Sequence, residues 1–282
     1  DVYAGNSLLI DNFAFRTATP YIDVPADRDI AFGIALPNST SSADVLATFD
    51  VNLAEGSTNG VMAIGVVGNP TRPFTLVVDD NSRETAPAGQ VGVSVLHGSP
   101  DAPAVDVVER LDGLLVSNLQ YGVFTPYLNL PALNGYYLDI KPAGGNQIVA
   151  TFRADLEALD GQAIRVFASG FLGSTPGFGL FAALPNGTVV PLPFSPVARV
   201  QIVHNAPSPT VDVYANNFPV LNDFEFLQAT SFGYLPAGLP ITLAVAPANS
   251  TSAAQAFYST TATLENGKTY LVVAAGEAGN PN

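Results

Sequence analysis

The residues that could do chemistry are few, and they sit in a repeated phrase. His97 opens a stretch, His97-Gly98-Ser99-Pro100-Asp101-Ala102-Pro103, that runs on to Val105-Asp106-Val107, and His204 opens a looser copy ending in Val211-Asp212-Val213-Tyr214. A histidine beside two aspartates is raw material for acid–base catalysis or for a metal site, but both need further groups converging on one point. The chain has no other histidine, and these two hold the same place in a repeat. Each is read as an imidazole that hydrogen-bonds the turn after it and fixes where its strand ends. Asp101, Asp106 and Asp112 offer hard oxygens to calcium, which takes about six to eight of them from a suitably spaced loop. The later copy keeps only Asp212 of the first two, so Asx-type turn bonding is the expected role. Gly92-Val93-Ser94-Val95 begins like a nucleophile elbow, but Leu96 stands where the second glycine belongs. Gly170 to Gly179 is glycine-rich like a phosphate loop, yet no helix follows it, and it reads as a flexible turn. No catalytic, cofactor or metal residue is assigned, and the chain is not expected to be an enzyme.

What positions these residues is a set of short strands. The chain has 282 residues, 48% hydrophobic and 12% charged, with 25 Gly, 23 Pro and no Cys. The absence of cysteine excludes disulfides and thiolate chemistry. A net charge of −14, with ten Lys and Arg in all, argues against a nucleic-acid partner, which calls for a clustered basic face. No run approaches the roughly 18 apolar residues of a membrane span, and no membrane insertion is expected. Apolar residues alternate with period two, as in Val91, Val93 and Val95 or Val200 and Ile202, and turn dipeptides such as Asp112-Gly113, Asn134-Gly135 and Asn266-Gly267 punctuate them. This is the pattern of half-buried strands in an all-β chain.

The shared aspartate recurs as Asp1, Asp106 and Asp212, a spacing of 105 and then 106 residues. A period of domain length means tandem domains. Asn12, Asn118 and Asp223 keep the register downstream, as do the stretches from Thr19, Thr125 and Ser231 that end in Pro-Ala. About seven strands fall in the middle copy, matching an immunoglobulin-like sandwich. The expected architecture is tandem immunoglobulin-like β-sandwiches at 1–80, 90–190 and 197–282, with proline-containing linkers at 79–90 and 191–196 holding them in a semi-rigid row. Phe13, Phe15, Tyr21, Tyr121, Tyr127, Phe224 and Phe226 recur at equivalent positions and are read as core and interdomain packing instead of a sugar platform.

The combination of His-Gly-Ser-Pro-Asp-Ala-Pro, Val-Asp-Val, Thr-Pro-Tyr-Leu-Asn-Leu-Pro-Ala from Thr125 and Lys141-Pro142-Ala143-Gly144 resembles the exported bacterial and archaeal family catalogued as domain of unknown function 4397. The third copy departs from it at Ser208 and at Val245-Ala246-Pro247-Ala248. The resemblance implies a secreted or surface-attached β-sandwich module, often in tandem, without enzymatic activity.

Both terminal domains are expected to lack a strand. The first copy starts at the position of Asp106, without a counterpart of the strand at Val91–His97, and the third ends at Gly279-Asn280-Pro281, which matches Gly68-Asn69-Pro70 ahead of the first copy's closing strand. A lost strand withdraws four or five buried side chains at about 1.5–3 kcal/mol each, comparable with a domain's whole stability of about 5–15 kcal/mol. The expected remedy is a strand supplied by another copy of the chain. Asp1, Val2 and Tyr3 at one end and Tyr270, Val272 and Ala274 at the other are the expected assembly edges. The expected function is a structural protomer of an extracellular filament or cell-surface fibre, built head to tail by intersubunit strand complementation. The alternative is a surface adhesion or ligand-binding module in a non-polymeric array. Asn38, Asn186 and Asn249 each lie in an Asn-X-Ser/Thr acceptor pattern for a glycan, so glycans are expected as a further partner.

Overall fold

The computed structural model describes residues 1–110 and 112–276, so the match at Gly279-Asn280-Pro281 lies outside the described residues. The chain is all-β, with each repeat a sandwich. The first repeat holds β1 (Val2–Ala4), β2 (Ser7–Ile10), β3 (Asp29–Ile34), β4 (Ala47–Asn52), β5 (Gly60–Ile64) and β6 (Thr75–Asp79). The middle repeat holds β7 (Gln90–His97), β8 (Val105–Glu109), β9 (Gly113–Leu119), β10 (Leu128–Pro131), β11 (Tyr136–Pro142), β12 (Ala150–Ala154), β13 (Ala163–Ser169), β14 (Gly179–Ala183) and β15 (Val189–Pro191). The third holds β16 (Val197–Asn205), β17 (Val211–Ala215), β18 (Phe218–Phe224), β19 (Gly233–Pro236), β20 (Pro240–Pro247), β21 (Tyr258–Thr263) and β22 (Thr269–Ala275).

One sheet is the same in all three repeats, with orders β2-β1-β3-β4, β9-β8-β11-β12 and β18-β17-β20-β21. The facing sheet differs. In the middle repeat it is β10-β7-β13-β14-β15, in the third β19-β16-β22, and in the first only β5-β6. The strand that organises it is β7, or β16 in the third repeat. It runs parallel to β13 (Val95 opposite Val166), as β16 does to β22 (Ile202 opposite Val272), and antiparallel to β10 or β19 on its other side.

The shared aspartate explains the sheet that never changes. Asp106 accepts the N–H of Asn118 at 2.7 Å and of Gly144 at 2.9 Å. Asp212 accepts the N–H of Asp223 at 2.9 Å, the N–H of Ser250 at 3.2 Å and its hydroxyl at 2.6 Å. Asp1 accepts the N–H of Asn12 at 2.8 Å and the Ser39 hydroxyl. The donors Asn12, Asn118 and Asp223 all have φ of 51°, a left-handed conformation that Asn and Asp tolerate best among residues with a Cβ. Asn118 and Asp223 lie where the register with the aspartate's strand shifts, so there the carboxylate clamps a β-bulge, while Asn12 follows the last pair of β1 with β2, Val2 opposite Ile10. Where the turn residue is Ser39 or Ser250, its hydroxyl also meets a tyrosine two residues past the aspartate, Tyr3 at 3.0 Å or Tyr214 at 2.8 Å. In the middle repeat Gly144 and Val108 hold those two places.

The three sequence repeats fall into two compact units. One comprises Asp1–Gln147 and Phe152–Phe194, and the other Ile148–Thr151 and Ser195 onward. The first and middle repeats thus share a unit. Residues 79–90 are built into it. Asp79 and Ser82 are buried, Thr85 bridges Gln162, and Glu84 accepts the Ala163 N–H at 3.0 Å. Backbone pairing along β13 makes this stretch part of the sheet margin instead of a linker.

The expected edge at Asp1, Val2 and Tyr3 is also corrected. β1 lies between β2 and β3, and Asp1 and Tyr3 are buried. The counterpart of β7 belongs to the other sheet, so its absence among the described residues bares β5.

The backbone N–H groups of Asn118 and Gly144 hold the Asp106 carboxyl below its ordinary value of 3.8. A carboxyl with a depressed folded-state pKa adds stability that is present above the unfolded value and is lost as pH falls through the folded one. Asp106→Asn is therefore expected to lower the melting temperature at pH 7 and to flatten the loss of stability below about pH 4, read by thermal denaturation across pH 2–7.

Candidate functional site

The sites proposed for chemistry from the residues resolve into structural parts. His97 and His204 are each 1% exposed. Their Nε2–H groups donate to the carbonyls of Pro103 at 2.8 Å and Pro209 at 3.0 Å, across the turn that follows. Burial pushes the His97 pKa down, against a smaller upward pull from the Pro103 carbonyl. Asp101 accepts the Leu172 N–H at 3.0 Å and Asp112 donates its N–H to Glu109 at 2.8 Å, so these aspartates do not converge with Asp106. Ser94 is fully buried inside β7 and donates to the Thr125 carbonyl at 2.9 Å. The Gly170–Gly179 loop is pinned, which the expectation of a flexible turn missed: Arg16 donates to the Gly177 carbonyl at 2.7 Å and Phe178 N–H to that of Phe171 at 2.9 Å.

The glycan acceptor patterns carry a second meaning. Asn38 and Asn249 are exposed, but the residues after them build the carboxylate clamp and a cap. Ser39 and Ser250 serve the clamping aspartates, while Ser41 with Asp44 and Ser252 with Gln255 form capping boxes on one-turn 3-10 helices. The Ser-X-X-Asp and Ser-X-X-Gln spacing was the signal for these caps. Asn186 is exposed and accepts the Thr188 N–H at 2.9 Å.

The surfaces left are sheet faces and strand edges. In the middle repeat β7 and β13 are buried on both sides. Val91, Val93, Ile164 and Val166 face their own sandwich, and Ser94, Leu96, Arg165 and Phe167 face the first repeat. The cover is the β5-β6 hairpin, whose Met62, Ile64 and Val77 pack on Leu96, Phe167 and Phe181. Its opposite side puts Leu76 into the first repeat's core, while Val61 and Val78 remain 37% and 38% exposed. The hairpin therefore serves two sandwiches at once.

Polar contacts fix this packing. The Arg165 guanidinium pairs with Asp79 and donates to the Ser82 hydroxyl at 2.7 Å, with both charged side chains 9% exposed. It lies against Gly60, where an added Cβ would overlap it. Arg72 stacks on Tyr121 at 4.6 Å and Arg83 on Tyr127 at 4.6 Å, two cation–π contacts made by the first repeat and the stretch after it.

The aromatic positions divide accordingly. Tyr121, Tyr127 and Phe224 are packed, as expected. Phe13, Phe15 and Phe226 are 40%, 63% and 44% exposed, which corrects the packing expected of them. Phe13 matches the buried Leu119 and Phe224, and its repeat has no β7 strand to cover it among the described residues.

The strand edges follow the same logic. β13 is hydrogen-bonded on both edges, to β7 and β14. Its counterpart β5 pairs only with β6, and its counterpart β22 only with β16, among the described residues. Tyr270, Val272 and Ala274 lie on β22, with Tyr270 and Val272 turned into the core of the third sandwich.

A family model described as a domain of unknown function (DUF4397) matches residues 1–108, 92–186 and 198–282. No curated protein matches the chain. No described helix is long and apolar enough to cross a membrane.

Asp79→Ala leaves the Arg165 guanidinium buried without its carboxylate, and a loss of about 3–5 kcal/mol is expected. The double variant Asp79→Leu/Arg165→Met should recover most of it, as measured by urea denaturation.

Proposed function

This chain belongs to the DUF4397 family, in three tandem copies, and on that premise we propose that it is a structural subunit of an extracellular filament or cell-surface fibre, joined end to end by strands that one subunit lends to the next. The observation that carries the reading is the pair of open edges. Among the described residues, strand β5 has no neighbour on the side where β13 has β7, and β22 has none on the side where β13 has β14. The two vacancies are different, so a contact that fills either joins unlike surfaces and can propagate instead of closing. Exposed strand edges are strong templates for pairing, and main-chain pairing of this kind is a recurrent mode of recognition. An acidic chain of net charge −14 keeps such subunits apart until the edges meet. Asn38 and Asn249, exposed beside their caps, are the candidate glycan acceptors of the assembled surface.

A ligand-binding module is the second reading. It is favoured by an apolar cleft of about 170 Å³ between the two sheets of the third repeat, lined by Ile202, Val220, Leu221, Leu235 and Leu243.

Negative-stain imaging of the purified chain over a concentration series separates the two. End-to-end particles longer than one chain are expected. A peptide with the β14 sequence from Gly179 to Ala183, added in excess, should shorten them by occupying the β22 edge. Single particles at every concentration would overturn the filament reading.

A further inference from the structure

Strand β22 has a face as well as an edge, and the middle repeat shows how such a face is used. Gly56, Gly161 and Gly267 precede β5, β13 and β22 with φ of 71°, 75° and 78°. They set the three strands in one register, so that Gly60, Arg165 and Leu271 are equivalent, as are Met62, Phe167 and Val273. In the first unit the outward face of β7 and β13 is buried beneath the β5-β6 hairpin. The corresponding face of the third repeat carries Leu271 at 61%, Val273 at 46%, Phe232 at 40% and Phe226 at 44% exposure, with Val203 half-buried among them. Phe226 stands where Tyr121 does, and Phe232 where Tyr127 does. The face that is covered in one repeat is bare in the other.

The nature of the covered interface identifies an occupant. It joins equivalent elements. β5 is the counterpart of β13, and Gly60 lies against the guanidinium of its own equivalent, Arg165. Two like sheet faces thus meet with equivalent positions in contact, as they do where identical surfaces pair in an isologous contact. The side chains differ in the way such pairing requires. Arg165 is tolerated in the interface because Asp79 and Ser82 come from the other side. Leu271 holds that place in the third repeat and needs no carboxylate from its partner. Arg199 stacks on Phe232 at 4.6 Å from within the same repeat, whereas Tyr127 takes its arginine, Arg83, from the stretch that links the two repeats. The third repeat therefore carries its own cation and an apolar centre, and asks of its partner only apolar surface.

We infer that two copies of this chain pair through the outward sheet faces of their third repeats, with Leu271 close to Leu271 of the second copy and Val203, Phe226, Phe232 and Val273 around it. This pairing uses the face of β22 and leaves its edge open. It is lateral, and it stands apart from the end-to-end reading.

Since the chain contains no cysteine, a single introduced thiol reports the contact directly. Leu271→Cys in the full chain, under mild oxidation, should give a disulfide-linked dimer at least about tenfold faster than Leu114→Cys, a rate ratio that corresponds to about 1.4 kcal/mol. Leu114 is a comparably exposed residue, 59%, on β9 of the middle repeat, outside the third repeat altogether. Leu271→Asp, checked by circular dichroism to retain its fold, should shift the dimer seen by sedimentation equilibrium to monomer. Excess β14 peptide should leave the cross-link unchanged while it shortens any filament. Cross-linking no faster at position 271 than at 114, or a dimer that survives Leu271→Asp, would overturn the inference.

Discussion

The parallel pairing of β7 with β13 is the interaction on which the middle repeat depends, and the pairing makes demands beyond itself. A strand in the middle of a sheet has two edges and two faces, and water must be kept from its backbone and its apolar side chains alike. β13 satisfies all four. β7 and β14 take its edges, its own sandwich covers one face, and the hairpin of the preceding repeat covers the other. The ion pair of Arg165 with Asp79 is a consequence of that second cover. A guanidinium enters a closed interface only where a carboxylate and further acceptors meet it. Each terminal repeat satisfies fewer of these demands among the described residues, and Phe13 in one and Leu271 and Val273 in the other stay exposed where the middle repeat has β7 or the hairpin as cover.

The other sheet of each repeat needs no neighbour, because its register is held locally. A single carboxylate ties a left-handed residue, Asn12, Asn118 or Asp223, to the turn after another strand, with a glycine or a serine as second donor. Gly144 supplies an N–H, and Ser39 and Ser250 supply hydroxyls that a tyrosine braces in turn. This clamp lets the first repeat keep an ordered four-stranded sheet although, among the described residues, the sheet facing it has only β5 and β6. Robust sheets on one side and incomplete sheets on the other divide the labour within a repeat. The clamped sheet keeps the fold, and the facing sheet makes contact with other repeats.

Much of this was legible from residues alone. The period of the shared aspartate, the strand alternation and the turn dipeptides define the repeats and their all-β class. The histidines end their strands as read, because a buried imidazole beside a proline-rich turn finds a carbonyl within reach. The misreadings share one cause: side-chain pattern shows which face of a strand is buried without showing which sheet the strand joins. Asp1 to Tyr3 reads as an edge because a counterpart of β7 would precede it in sequence, yet sequence neighbours β7 and β8 belong to opposite sheets. Likewise Asp79 to Gln90 carries the polar, proline-containing composition of a linker, while its buried members, Asp79 and Ser82, are ligands for an arginine 86 and 83 residues away. No local pattern announces a partner at that distance. The Ser41-X-X-Asp44 and Ser252-X-X-Gln255 spacings carry capping boxes directly after the Asn-Ser-Thr patterns at Asn38 and Asn249.

Hydrogen exchange of the three equivalent strands tests most directly whether the terminal repeats are open where the middle one is closed. In dilute solution the amides of β13 should exchange slowly along its whole length. The outward-directed amides of β5 and β22 should exchange fast, and should become protected as the concentration is raised and the edges are occupied. Equally slow exchange in β5, β13 and β22 of the isolated chain would contradict the view that β5 and β22 present open edges where β13 is closed.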